Sequence, residues 1–104
     1  MNNNVLSFLG LACRARAVVS GEYATEKAVK EGKAKLCIVA VDASDNTKKL
    51  FSDKCTYYEV PLIQCGTKEE LGRAIGKEYR ASVAVTDKSF ADGLLRKYEE
   101  LKLK

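Results

Sequence analysis

The sequence contains no histidine and only one proline, and it lacks the common catalytic motifs. Without histidine, no Ser-His or Cys-His pair can activate a nucleophile. No G-x-S-x-G, Walker-type lysine motif or G-x-G-x-x-G occurs either. Asp42, Asp45 and Asp87 can in principle gather a cation, but helix capping is the commoner role of such residues. We therefore expect a protein that is not an enzyme, without a cofactor, a metal or a small-molecule substrate.

Closely spaced cysteines are also absent. The four cysteines lie far apart in the chain, with no C-x-x-C pair. Zinc sites use grouped cysteine and histidine ligands, so this spacing argues against one. Cys13 and Cys55 fall on apolar helix faces, and Cys37 lies within an apolar run. We expect small buried thiols in a reduced core rather than disulfides.

Neither a long apolar run nor a strong charge is present. No run can span a bilayer, and the N-terminal Met-Asn-Asn-Asn lacks the basic start and small-residue cleavage pattern of a signal peptide. The 104 residues carry a formal net charge of +4, with a pI near 8.9. That charge suits an anionic partner without requiring one. We expect one cytoplasmic domain over residues 1–104, with a single core and no membrane partner.

Apolar periodicity alternates between the helical and the strand repeat along the chain. The first predicted elements are an amphipathic helix that ends near residues 14–16 and a short strand at 17–19. They are followed by a helix with Ser20 as its N-cap and Gly32 as its stop, the doubly buried strand Leu36–Val41, a helix over 50–58, the strand Val60–Gln64, a helix from about Lys68 to Ile75, the strand Ser82–Thr86 and a last helix with Phe90 to Tyr98 on its apolar face. This order predicts an α/β domain whose sheet of about four strands is covered by helices on both sides.

The fourth predicted helix carries two local signals. Thr67 and Glu70 have the spacing of a capping box. Gly72 and Gly76 lie four residues apart, although glycine inside a helix costs about 1 kcal/mol relative to alanine. We therefore expect a close backbone approach at Gly72 and a left-handed helix end at Gly76.

One edge of the predicted sheet collects features that suit an anionic ligand. The start of the second helix offers free amide groups and a positive dipole end, and Lys27, Lys77 and Arg80 add charges for phosphates. Tyr23 can stack on an exposed base. The stripe of Tyr23, Lys27 and Lys30 is equally compatible with an ordinary solvated helix face.

Several motifs occur in unbroken order between about Ala17 and Phe90. They are Gly21, Lys27, Gly32-Lys33-Ala34-Lys35-Leu36, Ala40-Val41-Asp42, Val60-Pro61, Lys68, Leu71-Gly72-x-Ala74-x-Gly76 and Ser82-Val83-Ala84-Val85. As a set they resemble the kink-turn RNA-binding ribosomal protein family typified by the archaeal L-seven-Ae protein, and most closely its bacterial YlxQ-type branch. The resemblance implies a three-layer α/β/α sandwich with a small mixed sheet. It also implies a ribosome- or translation-associated protein that binds structured RNA without catalysing a reaction.

Carried onto this sequence, the resemblance implies RNA contacts from the start of the second helix, the loop after Val41 and the loop 77–81. The implied contact residues are Gly21, Tyr23, Ala24, Lys27, Asp42, Lys77, Arg80 and Ala81. The chain has Tyr23-Ala24 where strong kink-turn binders carry Asn-Glu to read sheared G·A pairs, and Val41 replaces an acidic residue. Losing a bidentate base contact costs about 1 to 3 kcal/mol of discrimination. We expect general RNA binding to survive this change better than kink-turn specificity.

Two other functions fit the same sequence. The chain can be a protein-interaction module on the same fold, with Tyr23 as its exposed anchor. It also resembles the RNA-substrate-recognition domain of certain methyltransferases, here standing alone and without a recognisable methyl-donor site. A steep salt dependence distinguishes RNA binding from protein binding. The particular RNA, the oligomeric state and the protein partners are not specified by the sequence.

Overall fold

The computed structural model describes residues 4–103 as five helices and four strands. The helices are α1 (Asn4–Arg14), α2 (Glu22–Lys30), α3 (Asp45–Tyr58), α4 (Lys68–Ala74) and α5 (Lys88–Lys102), and the strands are β1 (Val18–Ser20), β2 (Leu36–Val39), β3 (Leu62–Gln64) and β4 (Ser82–Val85). Every predicted helix and strand is present, with ends that differ by a few residues from the prediction. Among the described residues, no helix is both long and apolar enough to cross a membrane.

The four strands form one mixed sheet in the order β1-β4-β2-β3. β4 lies antiparallel to both β1 and β2, whereas β3 lies parallel to β2. All residues of β2 and β4 are buried. Helices α2 and α3 pack together on one face, and α1 packs with α4 and α5 on the other. The structure therefore confirms the predicted α/β/α sandwich with a small mixed sheet.

Side chains cap three helix starts, and two of these caps, at Thr67 and Asp87, were expected from the sequence. Ser44 caps α3, Asp87 caps α5, and Thr67 caps α4 in a capping box with Glu70. These side chains accept hydrogen bonds from first-turn amides that would otherwise lack partners. Asp87 is therefore a capping residue, which was its commoner expected role.

The predicted N-cap of α2 was wrong. The cap residue is Gly21, whose φ of 94° favours glycine, and no side chain among the described residues caps this helix. The hydroxyl of Ser20 accepts a hydrogen bond from Arg80 instead. Ser20 is the last residue of β1, one position too early for its side chain to reach the first-turn amides of α2.

The buried strand β2 is shorter than predicted. Leu36 through Ala40 are buried, as the apolar run indicated, but the strand ends at Val39 and Val41 is 45% exposed. The amide of Val41 donates to the carbonyl of Gly66, which turns the chain away from β4. The last apolar residue of the run therefore belongs to a surface loop.

The two glycines of the α4 region have the predicted roles. A Cβ at Gly72 would lie 2.5 Å from the carbonyl oxygen of Glu78, so only glycine permits this approach of the backbone. Gly76 has a φ of 77° and follows the end of α4. Together they fold the loop 76–81 back along α4 toward the sheet.

Candidate nucleic-acid interface

Four segments of the chain meet at one edge of the sheet. The strands β1, β2 and β3 end there, and β4 begins there, because Ser20 is opposite Val83 and Val39 is opposite both Ser82 and Gln64. The segments are the start of α2 (residues 21–27), the loop 40–44, the loop 65–67 and the loop 76–81. We call this surface the loop edge. The other ends of the strands form the opposite edge, where α3 finishes with Tyr58.

The start of α2 presents its amide groups without a side-chain cap. The amide of Gly21 donates to the carbonyl of Ser82 at 3.1 Å, which fixes the helix start to β4. No described side chain accepts from the first-turn amides of Glu22, Tyr23 and Ala24. Such groups, with the positive end of the helix dipole, favour an anionic ligand.

The side chains of this first turn divide between the surface and the core. Tyr23 is 78% exposed, and Lys27 is exposed one turn later. Ala24 is half-buried, whereas Thr25 and Ala28 are buried against the sandwich. The aromatic ring and the ammonium group thus stand on the outer side of the helix, as the sequence pattern indicated. An external ligand can reach both of them.

The loop 76–81 is held by backbone hydrogen bonds on two sides. The amide of Lys77 donates to the carbonyl of Gly72 at 2.7 Å, and the amide of Arg80 donates to the carbonyl of Lys68 at 3.0 Å. The carbonyl of Ala81 accepts from Ala40 at 2.9 Å. The loop is therefore anchored to both α4 and the end of β2, while the side chain of Lys77 remains exposed.

Asp42 has a structural role at this edge. Its carboxylate accepts a hydrogen bond at 2.8 Å from the amide of Lys68, in the first turn of α4. It thereby links the loop 40–44 to the helix that carries the loop 76–81. A carboxylate repels phosphate, so this contact points to organisation of the loop rather than to a phosphate contact.

Arg80 is half-buried and bonded within the chain. Its Nε donates to the Ser20 hydroxyl at 3.0 Å, and its Nη1 donates to the carbonyl of Tyr79 at 2.7 Å. From the sequence, Arg80 was expected to supply a charge for phosphate and to contact RNA. The structure shows that two of its donors already serve the fold.

Two exposed apolar side chains at the loop edge were not predicted from the sequence. Val41 is 45% exposed, and Tyr79 is 62% exposed. Val41 was hidden in an apolar run that resembled strand throughout. Tyr79 lies in the predicted loop but was not named, although an aromatic residue between charged neighbours in a loop is a recognisable signal for a binding surface. With Tyr23, they add apolar contact area to an otherwise polar edge.

The described residues contain no group of three or more histidine, cysteine or acidic side chains that could hold a metal ion. Asp42 accepts from the amide of Lys68 at the loop edge, whereas Asp87 caps α5 at the opposite edge, so these two acids do not gather. Cys65, which follows β3, is buried beside Glu70; burial and then the nearby carboxylate raise the pKa of its thiol. A raised pKa keeps the thiol protonated and unreactive.

Comparison with known proteins places the chain in a family. Residues 3–94 match the model of the Ribosomal protein L7Ae/L30e/S12e/Gadd45 family. The chain belongs to this family. The match confirms the resemblance drawn from the motif set, which covered most of the same residues.

Several known proteins resemble the chain over most of its length. The RNA-binding protein YlxQ of Bacillus subtilis is 52% identical over 87 residues, covering 84% of this chain and 87% of its own. The large ribosomal subunit protein eL30 of Yarrowia lipolytica is 34% identical over 97 residues, covering 86% of this chain and 84% of its own. A solved structure of a protein of unknown function from Bacillus halodurans C has a TM-score of 0.88 and 42% identity, covering 91% of this chain and 96% of that one.

The residues that the L7Ae family resemblance implied as contacts all lie on segments of the loop edge. Gly21, Tyr23, Ala24 and Lys27 belong to the start of α2, Asp42 to the loop 40–44, and Lys77, Arg80 and Ala81 to the loop 76–81. The fold brings these three segments together from positions up to 60 residues apart, as in the Ser20–Arg80 hydrogen bond. They form one continuous candidate surface.

Proposed function

We propose that this protein binds structured RNA through the loop edge and catalyses no reaction. The observation that carries the proposal is the uncapped start of α2, which stands beside the exposed Tyr23 and Lys27 in a member of the L7Ae family. The names of two similar proteins, an RNA-binding protein and a large-subunit ribosomal protein, support the same class of ligand. We propose kink-turn or ribosomal RNA as the ligand and the ribosome or the translation machinery as its setting.

The chemistry of the edge divides into phosphate and base contacts. The free amides after Gly21 and the ammonium group of Lys27 can bind phosphate oxygens, which fix the position of an RNA without reading its sequence. Lys77 adds a second exposed cation from the neighbouring loop. The rings of Tyr23 and Tyr79 can stack on unpaired bases, since every base presents an aromatic face.

The base-reading chemistry at this edge is limited. Ala24 has no polar side-chain atom, and the hydroxyl of Tyr23 cannot form the bidentate contacts that discriminate bases most strongly. We therefore propose an RNA binder of relaxed specificity, which recognises the bent shape and phosphate path more than the G·A pairs. The four free thiols are compatible with the reducing cytoplasm, where we place the protein.

The test of the proposal is a matched pair of lysine substitutions. We expect Lys27→Ala to weaken binding to a kink-turn RNA and to its variant with Watson–Crick pairs alike. Its log–log salt slope should fall by about 0.7 to 0.9, the contribution of one phosphate. Lys33→Ala makes the same change of charge near the opposite edge and should leave binding almost unchanged. Equal effects of the two substitutions, or none from Lys27→Ala, would show that α2 does not contact RNA.

A protein-interaction module is the second candidate function, favoured by the exposure of Tyr23. An aromatic side chain that is 78% exposed is a common anchor at protein interfaces. Under this function the loop edge would bind a partner protein and would show no affinity for either RNA. Weak dependence of partner binding on salt, with loss of binding in Tyr23→Ala, would support it over RNA binding.

A further inference from the structure

We propose that Arg80 is a positioning residue, which uses the Ser20 hydroxyl to hold the loop 76–81 against the start of α2. The inference rests on the proposed function, because it concerns how the RNA-binding surface is kept in shape. It assigns Ser20 and Arg80 a joint role that does not require either side chain to touch RNA.

The geometry of the contact supports this role. The guanidinium group spans two segments, because its Nε bonds Ser20 at 3.0 Å and its Nη1 bonds the Tyr79 carbonyl at 2.7 Å. Ser20 immediately precedes Gly21, the cap residue of α2. One planar side chain therefore connects the first residues of the α2 segment to the backbone of the loop that carries Tyr79.

The other hydrogen bonds of the loop 76–81 connect it to α4 and β2 rather than to α2. Its backbone bonds run to α4, through Gly72 and Lys68, and to Ala40 at the end of β2. Among residues 4–103, the Arg80–Ser20 contact is the one side-chain hydrogen bond between the loop 76–81 and the segment that leads into α2. The backbone bond from Gly21 to Ser82 fixes the residue directly after the loop, so without the Arg80–Ser20 contact the loop itself has no hydrogen bond to the α2 segment within residues 4–103.

Arginine suits this position better than lysine does. Its guanidinium group donates from several nitrogens in one rigid plane, so it can bond two acceptors at a fixed angle. A lysine at this position would keep the positive charge but not the paired geometry. Substitution by lysine therefore separates positioning from simple attraction of phosphate.

Fixing the loop 76–81 in place raises the apparent affinity for RNA, because the loop does not have to be ordered when RNA binds. If only a fraction of molecules has the loop in place, the apparent dissociation constant rises by the inverse of that fraction. Ser20→Ala removes one hydrogen bond between two half-buried side chains, so we expect RNA affinity to fall by roughly three- to tenfold. The salt slope should not change, because no phosphate contact is lost.

The experiment combines RNA titration with amide hydrogen exchange on the full chain. The variants are Ser20→Ala, Ser20→Thr, Arg80→Lys and Arg80→Gln, with Ser89→Ala and Arg96→Gln as controls on the exposed surface of α5. We expect Ser20→Ala and Arg80→Lys to weaken binding of a kink-turn RNA by similar factors at unchanged salt slope, and to do so without adding in the double variant. Ser20→Thr keeps the hydroxyl and should restore most of the affinity.

Hydrogen exchange tests the same role without RNA. In the free protein, we expect faster exchange at the amides of Arg80 and Ala40 in Ser20→Ala than in the wild type or Ser89→Ala. The amide of Arg80 donates to Lys68 and that of Ala40 donates to Ala81, so both hydrogen bonds open when the loop moves. Unchanged exchange and unchanged RNA affinity in Ser20→Ala would overturn the proposal. The proposal would also be overturned if Arg80→Lys bound RNA with wild-type affinity and Arg80→Gln showed a reduced salt slope. That combination would mean that the charge at position 80 contacts a phosphate directly. Failure of the wild type to bind RNA would refute the proposed function, while the exchange result would still decide the role of Arg80.

Discussion

Replacing Gly72 by alanine should destabilise the protein and displace the loop 76–81. The new Cβ would lie 2.5 Å from the carbonyl oxygen of Glu78, 2.6 Å from its carbonyl carbon and 2.8 Å from the amide nitrogen of Tyr79. All three are backbone atoms, which cannot rotate away as a side chain can. Restoring ordinary contact requires the loop to move by about 1 Å, since non-bonded heavy atoms prefer separations of about 3.5 Å.

The energy of this change follows from two opposing effects. Overpacking of this kind costs about 1 to 3 kcal/mol. Alanine offsets up to about 1 kcal/mol of that, because it is the better helix former. Because the three close atoms are all backbone, we take the upper part of the first range, about 2 to 3 kcal/mol. After the offset of about 1 kcal/mol, we expect Gly72→Ala to lower the free energy of unfolding by about 1 to 2 kcal/mol, which corresponds to a fall in melting temperature of about 4 to 16 °C for a domain of this size.

The assay is urea unfolding of the full chain, followed by titration with a kink-turn RNA. Gly32→Ala is the control: unlike Gly72, Gly32 has a positive φ, of 77°, but its new Cβ would meet nothing within 4 Å and lies near the opposite edge. That substitution should cost about 1 to 2 kcal/mol through left-handed strain alone and leave RNA affinity unchanged. Gly72→Ala should weaken RNA binding as well. A Gly72→Ala protein as stable as the wild type, with unaltered RNA affinity, would refute the reasoning.

Three further predictions concern the loop edge. Asp42→Ala should lower the free energy of unfolding by about 0.5 to 2 kcal/mol in urea denaturation, because the amide of Lys68 loses its acceptor, whereas Asp42→Asn keeps an acceptor and should lose little; equal losses would contradict the capping role. Tyr23→Ala should weaken binding to RNA with unpaired bases by about 1 to 3 kcal/mol and binding to a plain duplex much less, as measured by titration; equal effects would exclude stacking. The pKa of the Cys65 thiol is raised above its ordinary 9.0 by burial and by Glu70, so the folded protein holds the thiol proton more tightly than the unfolded chain does. The stability that this difference contributes is complete below pH 9 and is lost as the pH rises through the folded-state pKa. Unfolding measured from pH 7 to pH 10 should therefore show a fall in stability that is smaller in Cys65→Ala; an identical fall would refute this assignment.

The helices, the strands and their arrangement as a sheet covered by helices were accessible from the sequence because they depend on local patterns, whereas the mixed character of the sheet was implied by the family resemblance. The buried run before Ala40, the capping box of Thr67 and the close approach at Gly72 each follow from residue spacing and backbone sterics. The strand order was not accessible in this way, because it depends on pairings such as Val39 with Ser82 between distant segments.

The segments of the candidate site could be predicted from the sequence, but the hydrogen-bond partners of their residues could not. Ser20 has the chemistry of an N-cap, and its actual partner, Arg80, lies 60 residues further along the chain. Asp42 follows a strand as ligand-binding residues do, yet its carboxylate caps a helix that begins 26 residues later. Local pattern cannot reveal such long-range partners, since a side chain bonds whichever suitable group the fold brings near it.

The most direct test of RNA binding at the loop edge is an amide NMR titration of the full chain with a kink-turn RNA. We expect the largest chemical-shift changes between Gly21 and Lys27 and in the loop 76–81. The amides near Tyr57 and Tyr58, at the far end of α3, should change little. Changes concentrated at that far end, or no change at saturating RNA, would contradict the proposed function.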